Sequence, residues 1–215
     1  MIDRIFSKSK MKAWLEKIVK KYDKGRISAN QLTLIALGLG LLAALCVFLS
    51  GIVTSAGEIV CIVCAFILLG CSLIIDIFDG ILARNRTPTA FGGILDIFSD
   101  RLVEISIIIT IISTDPVFLL WSGVFSLASI ILCITIFLLM GTVNTDSLSE
   151  KKKVIYYSRG IMERTETGIF LLIMIAIPLP FIRMILFWIF SGLVLITALQ
   201  RLFVAYKVLY ESWAN

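Results

Sequence analysis

The sequence predicts an all-α integral membrane protein of six transmembrane helices preceded by an amphipathic juxtamembrane helix, and three observations carry that expectation. Hydrophobic residues make up 59% of the 215 positions and the mean hydropathy is +1.01, whereas soluble domains use roughly 45–50% apolar residues. Apolar runs of about 20 residues, enough to cross a roughly 30 Å hydrocarbon core as helix, fall at 31–50, 58–78, 96–114, 117–140, 166–182 and 184–206, with one re-entrant pair as the alternative reading of the last two. The 20 Lys and Arg residues are distributed unevenly about these runs: nine precede Ile27, and Arg84, Arg86, Lys151, Lys152, Lys153, Arg159 and Arg164 fill the linkers after the second and fourth. The linkers of the other side contain none at 51–57 or around Thr114 to Pro116, and only Arg183 sits near the third. By the positive-inside rule both termini are then cytoplasmic, in a cell (inner) membrane.

Residues 1–26 form the first expected unit. Met11, Trp14, Leu15, Ile18 and Val19 share one helical face and Lys12, Lys17, Lys20 and Lys21 surround the other, a pattern suited to a helix lying on the membrane surface or packed on neighbouring protein. The stretch is too charged for a signal peptide, which needs an apolar centre. Residues 27–215 form the second unit, a single six-helix domain without internal repeats. Gly25 and Ser28 mark a turn before the first span, and Asn30, Gln31 and Thr33 place uncharged hydrogen-bonding groups at its cytoplasmic mouth, which by themselves are ordinary helix-start chemistry. Pro88 predicts a tight turn over 85–92, and residues 144–165 read as a polar cytoplasmic loop or short helix.

The net charge of +5 gathers on one membrane face, where it meets anionic headgroups and phosphorylated substrates. Because the basic residues flank spans instead of forming a soluble face, no nucleic-acid partner is expected. Cys46, Cys61, Cys64, Cys71 and Cys133 lie inside apolar runs, where cysteine behaves as a small hydrophobe. Cys61 and Cys64 make a CxxC at mid-membrane with no second pair, poor grounds for zinc. With no histidine in the chain, Ser-His-Asp and Cys-His catalysis are excluded.

Chemistry concentrates between the second and third spans, in Asp76-Ile-Phe-Asp79-Gly80-Ile-Leu-Ala83-Arg84 followed by Gly92-Gly-Ile-Leu-Asp96-Ile-Phe-Ser-Asp100. Helical spacing puts Asp76 and Asp79 on one face and Asp96 and Asp100 on another. Because the two helices are expected as antiparallel neighbours joined by a short turn, these faces can be turned toward each other, and four carboxylates then converge. At about 1.5 Å per residue, Asp76 and Asp100 each lie roughly 12 Å below the ends of their helices, so the acids share a depth near the cytoplasmic side. Carboxylates inside a membrane are costly and mark function by default. Four of them, with only Arg84, Arg86 and Arg101 nearby, call for divalent metal. Oxygen-only ligands point to Mg²⁺ or Mn²⁺, and two ions roughly 4 Å apart would clamp an in-line phosphoryl displacement. Gly80 and Ala83 leave room for close approach of a ligand or a backbone. Helix packing for the small residues and a proton or ion relay for the acids are the competing readings.

The string D-x2-D-G-x2-A-R-x7-G-x3-D-x3-D, from Asp76 to Asp100, closely resembles the signature of the CDP-alcohol phosphatidyltransferase family, with seven residues between Arg84 and Gly92 where the family usually has eight or more. Ile27-Ser-Ala-Asn30-Gln-Leu-Thr33 is similar to the family's S-P-N-x-x-T segment at the first membrane helix, with Ala29 in place of proline. The resemblance implies transfer of a phosphatidyl group from a CDP-linked lipid such as CDP-diacylglycerol to an alcohol, with release of CMP, in phospholipid biosynthesis. It implies metal ligation by Asp76, Asp79 and Asp96, with Asp100 joining the site and acting as base. It also implies CDP-lipid contacts at Asn30, Gln31, Leu32, Thr33, Gly80, Ala83, Arg84 and Thr89, and a homodimer in the bilayer.

For the acceptor, Asp100-Arg101-Leu-Val-Glu104 and Gly160-Ile-Met-Glu163-Arg164-Thr-Glu166 look more like the inositol-phosphate-transferring branch than the serine or glycerol-phosphate branches. Arg101, Arg159 and Arg164 are the candidate acceptor contacts, since guanidinium suits phosphate, while Arg159, Arg164 and Lys151 to Lys153 serve equally well as topology determinants. Glycerol 3-phosphate is the second acceptor reading. An intramembrane cation transporter and a membrane prenyltransferase are the rival classes.

Overall fold

The computed structural model describes residues 28–54, 56–85, 89–146 and 160–213, with positions 81, 83–85, 142–146 and 208–213 described as backbone only. The expected surface helix over 1–26, and Arg159, lie outside the described residues. Six helices and no strand occur among those described: α1 (Ala29–Ser50), α2 (Ala56–Asn85), α3 (Ala90–Thr114), α4 (Pro116–Asp146), α5 (Arg164–Ala176) and α6 (Pro180–Trp213).

Four of them are long and apolar enough to cross a membrane: α1, α2 over Ala56–Gly80, α4 over Pro116–Gly141 and α6 over Pro180–Lys207. The chain is thus a multi-pass membrane protein. The other two differ from the expected spans for visible reasons. Within its first fifteen residues α3 carries Asp96, Asp100, Arg101 and Glu104. The 13 residues of α5 reach only about 20 Å. The expected run 166–182 is broken at Ile177-Pro178-Leu179, because Pro178 and Pro180 cannot continue the ladder of N–H donors. Elsewhere helices outlast the apolar runs, as α2 does to Asn85, since a helix does not end where hydrocarbon ends.

Local chemistry starts α1. Ser28 is its N-cap in a reciprocal capping box: the Ser28 hydroxyl accepts from Gln31 N at 3.2 Å, and the Ser28 N–H donates to Gln31 Oε1 at 2.9 Å. The inner face of α1 is a stripe of small residues, Thr33, Ala36, Gly40, Ala43, Ala44, Val47 and Ser50, while Leu34, Leu41, Leu45 and Phe48 point outward. Small residues let backbones approach where hydrocarbon solvent removes the hydrophobic drive between helices. α1 accordingly packs against both α2 and α3, which barely touch one another. The expected neighbour pair of α2 and α3 is therefore replaced by a triad in which α1 is the shared partner and α5 leans on α2 and α3 from elsewhere.

α4 and α6 make the second packed unit, joined by a hydrogen bond between the hydroxyls of Ser126 and Ser191 at 2.8 Å and by the rings of Phe125 and Trp188, 5.2 Å apart. Both units meet in one core around Ile107, Ile111, Leu171, Met174, Phe187 and Phe190. At the end of α5 away from Arg164, the buried Arg183 donates from Nε to the Met174 carbonyl at 3.0 Å and from Nη1 to Thr114 Oγ1 at 3.1 Å. It thereby ties α3, α5 and α6 together.

The tightest point of the triad is Gly40, where a Cβ would lie 2.5 Å from Val103 Cγ2 on α3. Gly40→Val should overpack this contact, costing about 1–3 kcal/mol, and should lower the thermal unfolding midpoint in detergent. Gly38→Ala, which meets nothing within 4 Å and removes a helix-interior glycine, should leave the midpoint no lower than wild type.

Candidate active site

The site begins with the placement of charged groups on helices too apolar to solvate them. One carboxylate oxygen each from Asp76, Asp96 and Asp100 can be chosen so that all three lie within 4.8 Å of one another. Asp76 comes from the second half of α2, and Asp96 and Asp100 from the second and third turns of α3. Their i,i+4 spacing keeps the latter two on one face, as the sequence predicts. The side chain of Asp96 is 37% exposed while those of Asp76 and Asp100 are 13% and 15% exposed, so the cluster opens to the surface at Asp96.

The fourth aspartate stands apart from that group. Asp79 is buried, and its Oδ2 accepts a 2.7 Å hydrogen bond from Thr33 Oγ1 on α1. Because Thr33 belongs to the small-residue stripe, the contact that packs α1 on α2 also supplies a donor to this carboxylate. The sequence places all four acids at one depth, and the structure brings three of them together.

The cluster also gathers a cation from far along the chain. Arg164, the first residue of α5, pairs through Nη2 with Asp76 and Asp100 and through Nη1 with Asp96 Oδ1 at 3.1 Å. One turn on, Thr167 Oγ1 donates to Glu104 Oε1 at 3.0 Å, and Glu104 pairs with Arg101. Glu104 is a buried carboxylate four residues beyond Asp100. Its spacing was visible in the sequence, but its burial and its tie to α5 were not. Beneath the cluster lies a cavity of about 40 Å³ lined by Thr33, Ser72, Asp76, Ser99, Asp100 and Glu104 among others.

The remaining expected site residues are placed as follows. Asn30 stands on the first turn of α1, where its Oδ1 would lie 2.9 Å from a Cβ at Gly92, so a side chain at Gly92 would have to displace it. Gln31 serves the capping box, and Leu32 is half-buried behind it. Thr89 caps α3, accepting from Gly92 N at 3.1 Å. Gly80 and the backbone of Ala83 and Arg84 continue α2 beyond Asp79. Thr89, Gly92 and Asn30 thus meet where α1 and α3 begin. Of the candidate acceptor contacts, Arg101 pairs with Glu104 within α3, and Arg164 reaches the aspartates.

This donor set fits a hard divalent cation. It offers carboxylate oxygens alone, three of which converge from two helices. The like charges themselves need a positive partner in an apolar setting.

A model of the CDP-alcohol phosphatidyltransferase family matches residues 26–199, a stretch that runs from just before α1 into α6 and contains every residue of the cluster. Among curated proteins, none matches the chain.

Removing the Thr33 hydroxyl takes away the donor to a buried carboxylate, which should cost about 1–3 kcal/mol. Thr33→Val should therefore lower the unfolding midpoint in detergent, and Thr33→Ser, which keeps the hydroxyl, should restore most of it.

Proposed function

The chain belongs to the CDP-alcohol phosphatidyltransferase family, a phosphotransferase family, and from that membership we propose that it moves a phosphatidyl group from CDP-diacylglycerol to a hydroxyl of a small phosphorylated polyol such as inositol phosphate, releasing CMP. The observation that carries the proposal is the convergence of Asp76, Asp96 and Asp100 within 4.8 Å at the start of α3, with Arg164 beside them.

A pair of Mg²⁺ or Mn²⁺ ions held by Asp76, Asp96 and Asp100, and by Asp79 as the family signature implies, would neutralise the pyrophosphate and the charge that develops on it. The rest of the work falls to the chain. Asn30, Gln31, Leu32, Thr33, Gly80, Ala83, Arg84 and Thr89, at the starts of α1 and α3 and the end of α2, receive the CDP portion, and the diacyl tails stay beside the apolar outer helix faces. Arg164, with Arg101 and Arg159, recognises the acceptor phosphate. Asp100 takes the proton of the attacking hydroxyl as its oxygen bonds to the phosphatidyl phosphorus, while the bond from that phosphorus to the bridging oxygen breaks and CMP leaves. Alignment and charge neutralisation are what such a transfer needs most.

In this reading α3 and α5 complete a six-crossing bundle, the aspartate end faces the cytoplasm with the basic linkers, and the working form is a homodimer in the inner membrane.

The test gives purified protein CDP-diacylglycerol, Mg²⁺ or Mn²⁺, and inositol phosphate, glycerol 3-phosphate, inositol or serine in turn, and follows CMP. Metal-dependent CMP release with inositol phosphate is expected, abolished by EDTA and reduced at least about a hundredfold in Asp100→Asn, the scale of a lost general base. Asp96→Asn should fall as far. Release with no acceptor of the panel, or full activity in both variants, would overturn the proposal. Release with glycerol 3-phosphate alone would keep the reaction and change the acceptor.

A further inference from the structure

The three carboxylates that form the candidate metal group are the same three that Arg164 engages. Its guanidinium meets Asp76 Oδ1, Asp96 Oδ1 and Asp100 Oδ1 from the edge of the cluster. Mg²⁺ bonds its oxygen ligands at about 2.0–2.1 Å with near-octahedral geometry, and a guanidinium hydrogen-bonded to one oxygen of each carboxylate competes for the same three groups.

What surrounds Arg164 shows which part can move. The first turn of α5 is held in place: Thr167 Oγ1 donates to Glu104 Oε1 at 3.0 Å, and Gly168 sits so close to α2 that a Cβ there would lie 2.8 Å from Leu73 Cδ2. The Arg164 side chain, by contrast, is 31% exposed, at the open edge of the site. A long side chain on a fixed helix start can leave the carboxylates without moving the bundle.

We propose that Arg164 is a displaceable counter-cation: its single positive charge partly offsets those of Asp76, Asp96 and Asp100 until a divalent ion takes their oxygens, and the released guanidinium then binds the phosphate of the acceptor. The inference rests on reading the aspartates as metal ligands. Arg164 thereby makes metal binding and phosphate binding mutually supportive, because each ligand removes the competitor of the other. Linkage requires the effect to run in both directions. It also gives the site a resting form in which the carboxylates keep a positive partner, which an apolar environment demands.

The experiment measures Mn²⁺ binding to the full-length protein in detergent, with no lipid or acceptor, from the electron paramagnetic resonance signal of free Mn²⁺. Arg164→Gln should bind Mn²⁺ more tightly than wild type by about 5- to 150-fold, the ordinary range of coupling between sites. Arg164→Lys, which keeps the charge, should stay closer to wild type. A second measurement needs no variant: phenylglyoxal modification of Arg164, read by peptide mass, should be faster in saturating Mn²⁺ than in EDTA. Asp96→Asn, in the same titration, should weaken binding and marks the aspartates as the ligands. Equal or weaker Mn²⁺ affinity in Arg164→Gln, or an unchanged or slower modification rate with Mn²⁺, would overturn the proposal while leaving the metal site standing. If wild type and Arg164→Gln both fail to bind Mn²⁺, or Asp96→Asn binds it unimpaired, the reading of the aspartates falls and the inference with it.

Discussion

Three carboxylates within 4.8 Å of each other, on helices whose described outer faces expose many large apolar side chains, cannot all be ionised without a positive partner. Much of the architecture can be understood as the means of holding them there. α2 and α3 deliver the acids, yet they scarcely pack on one another, so the separation between them is kept by α1 and α5. Arg164 answers that demand from α5, whose first turn is tied to α3 by the hydrogen bond from Thr167 to Glu104. A site built this way is strongly polarised at fixed positions, which is what a charged pyrophosphate with greasy tails requires of a host.

The small-residue stripe of α1 is the packing counterpart of that electrostatic demand. Gly40 admits Val103 of α3, Ala36 offers its carbonyl to Ser72 of α2 at 2.7 Å, and Thr33 reaches Asp79. One helix face thus sets the distances of two others. Changes on this face should reach the aspartates through the backbone, since densely packed interiors transmit displacement instead of absorbing it.

Much of this was legible in the sequence, and what was not has a common cause. Hydrophobic runs and Asp spacing are local, so the helical class, the clustering of Asp96 with Asp100 and the family signature could be read directly. Helix rotation and partner choice are not local. Periodicity could not tell that Asp79 turns toward Thr33, 46 residues away, while Asp76 turns toward Arg164. The motif around Gly160 to Glu166 marked Arg164 as a phosphate contact, yet its 64-residue separation from Asp100 hid the pairing. The break before Pro180 leaves no trace in hydropathy, because Ile, Leu and Pro keep the stretch apolar and a missing N–H does not register there.

The central claim is that Asp76, Asp96 and Asp100 hold divalent metal in exchange for Arg164. Anomalous diffraction from crystals grown with Mn²⁺ and CDP tests it most directly. The account predicts manganese peaks bonded to those three carboxylates, with the Arg164 guanidinium withdrawn from them. Manganese bound elsewhere, with Arg164 still seated among the aspartates, would contradict it.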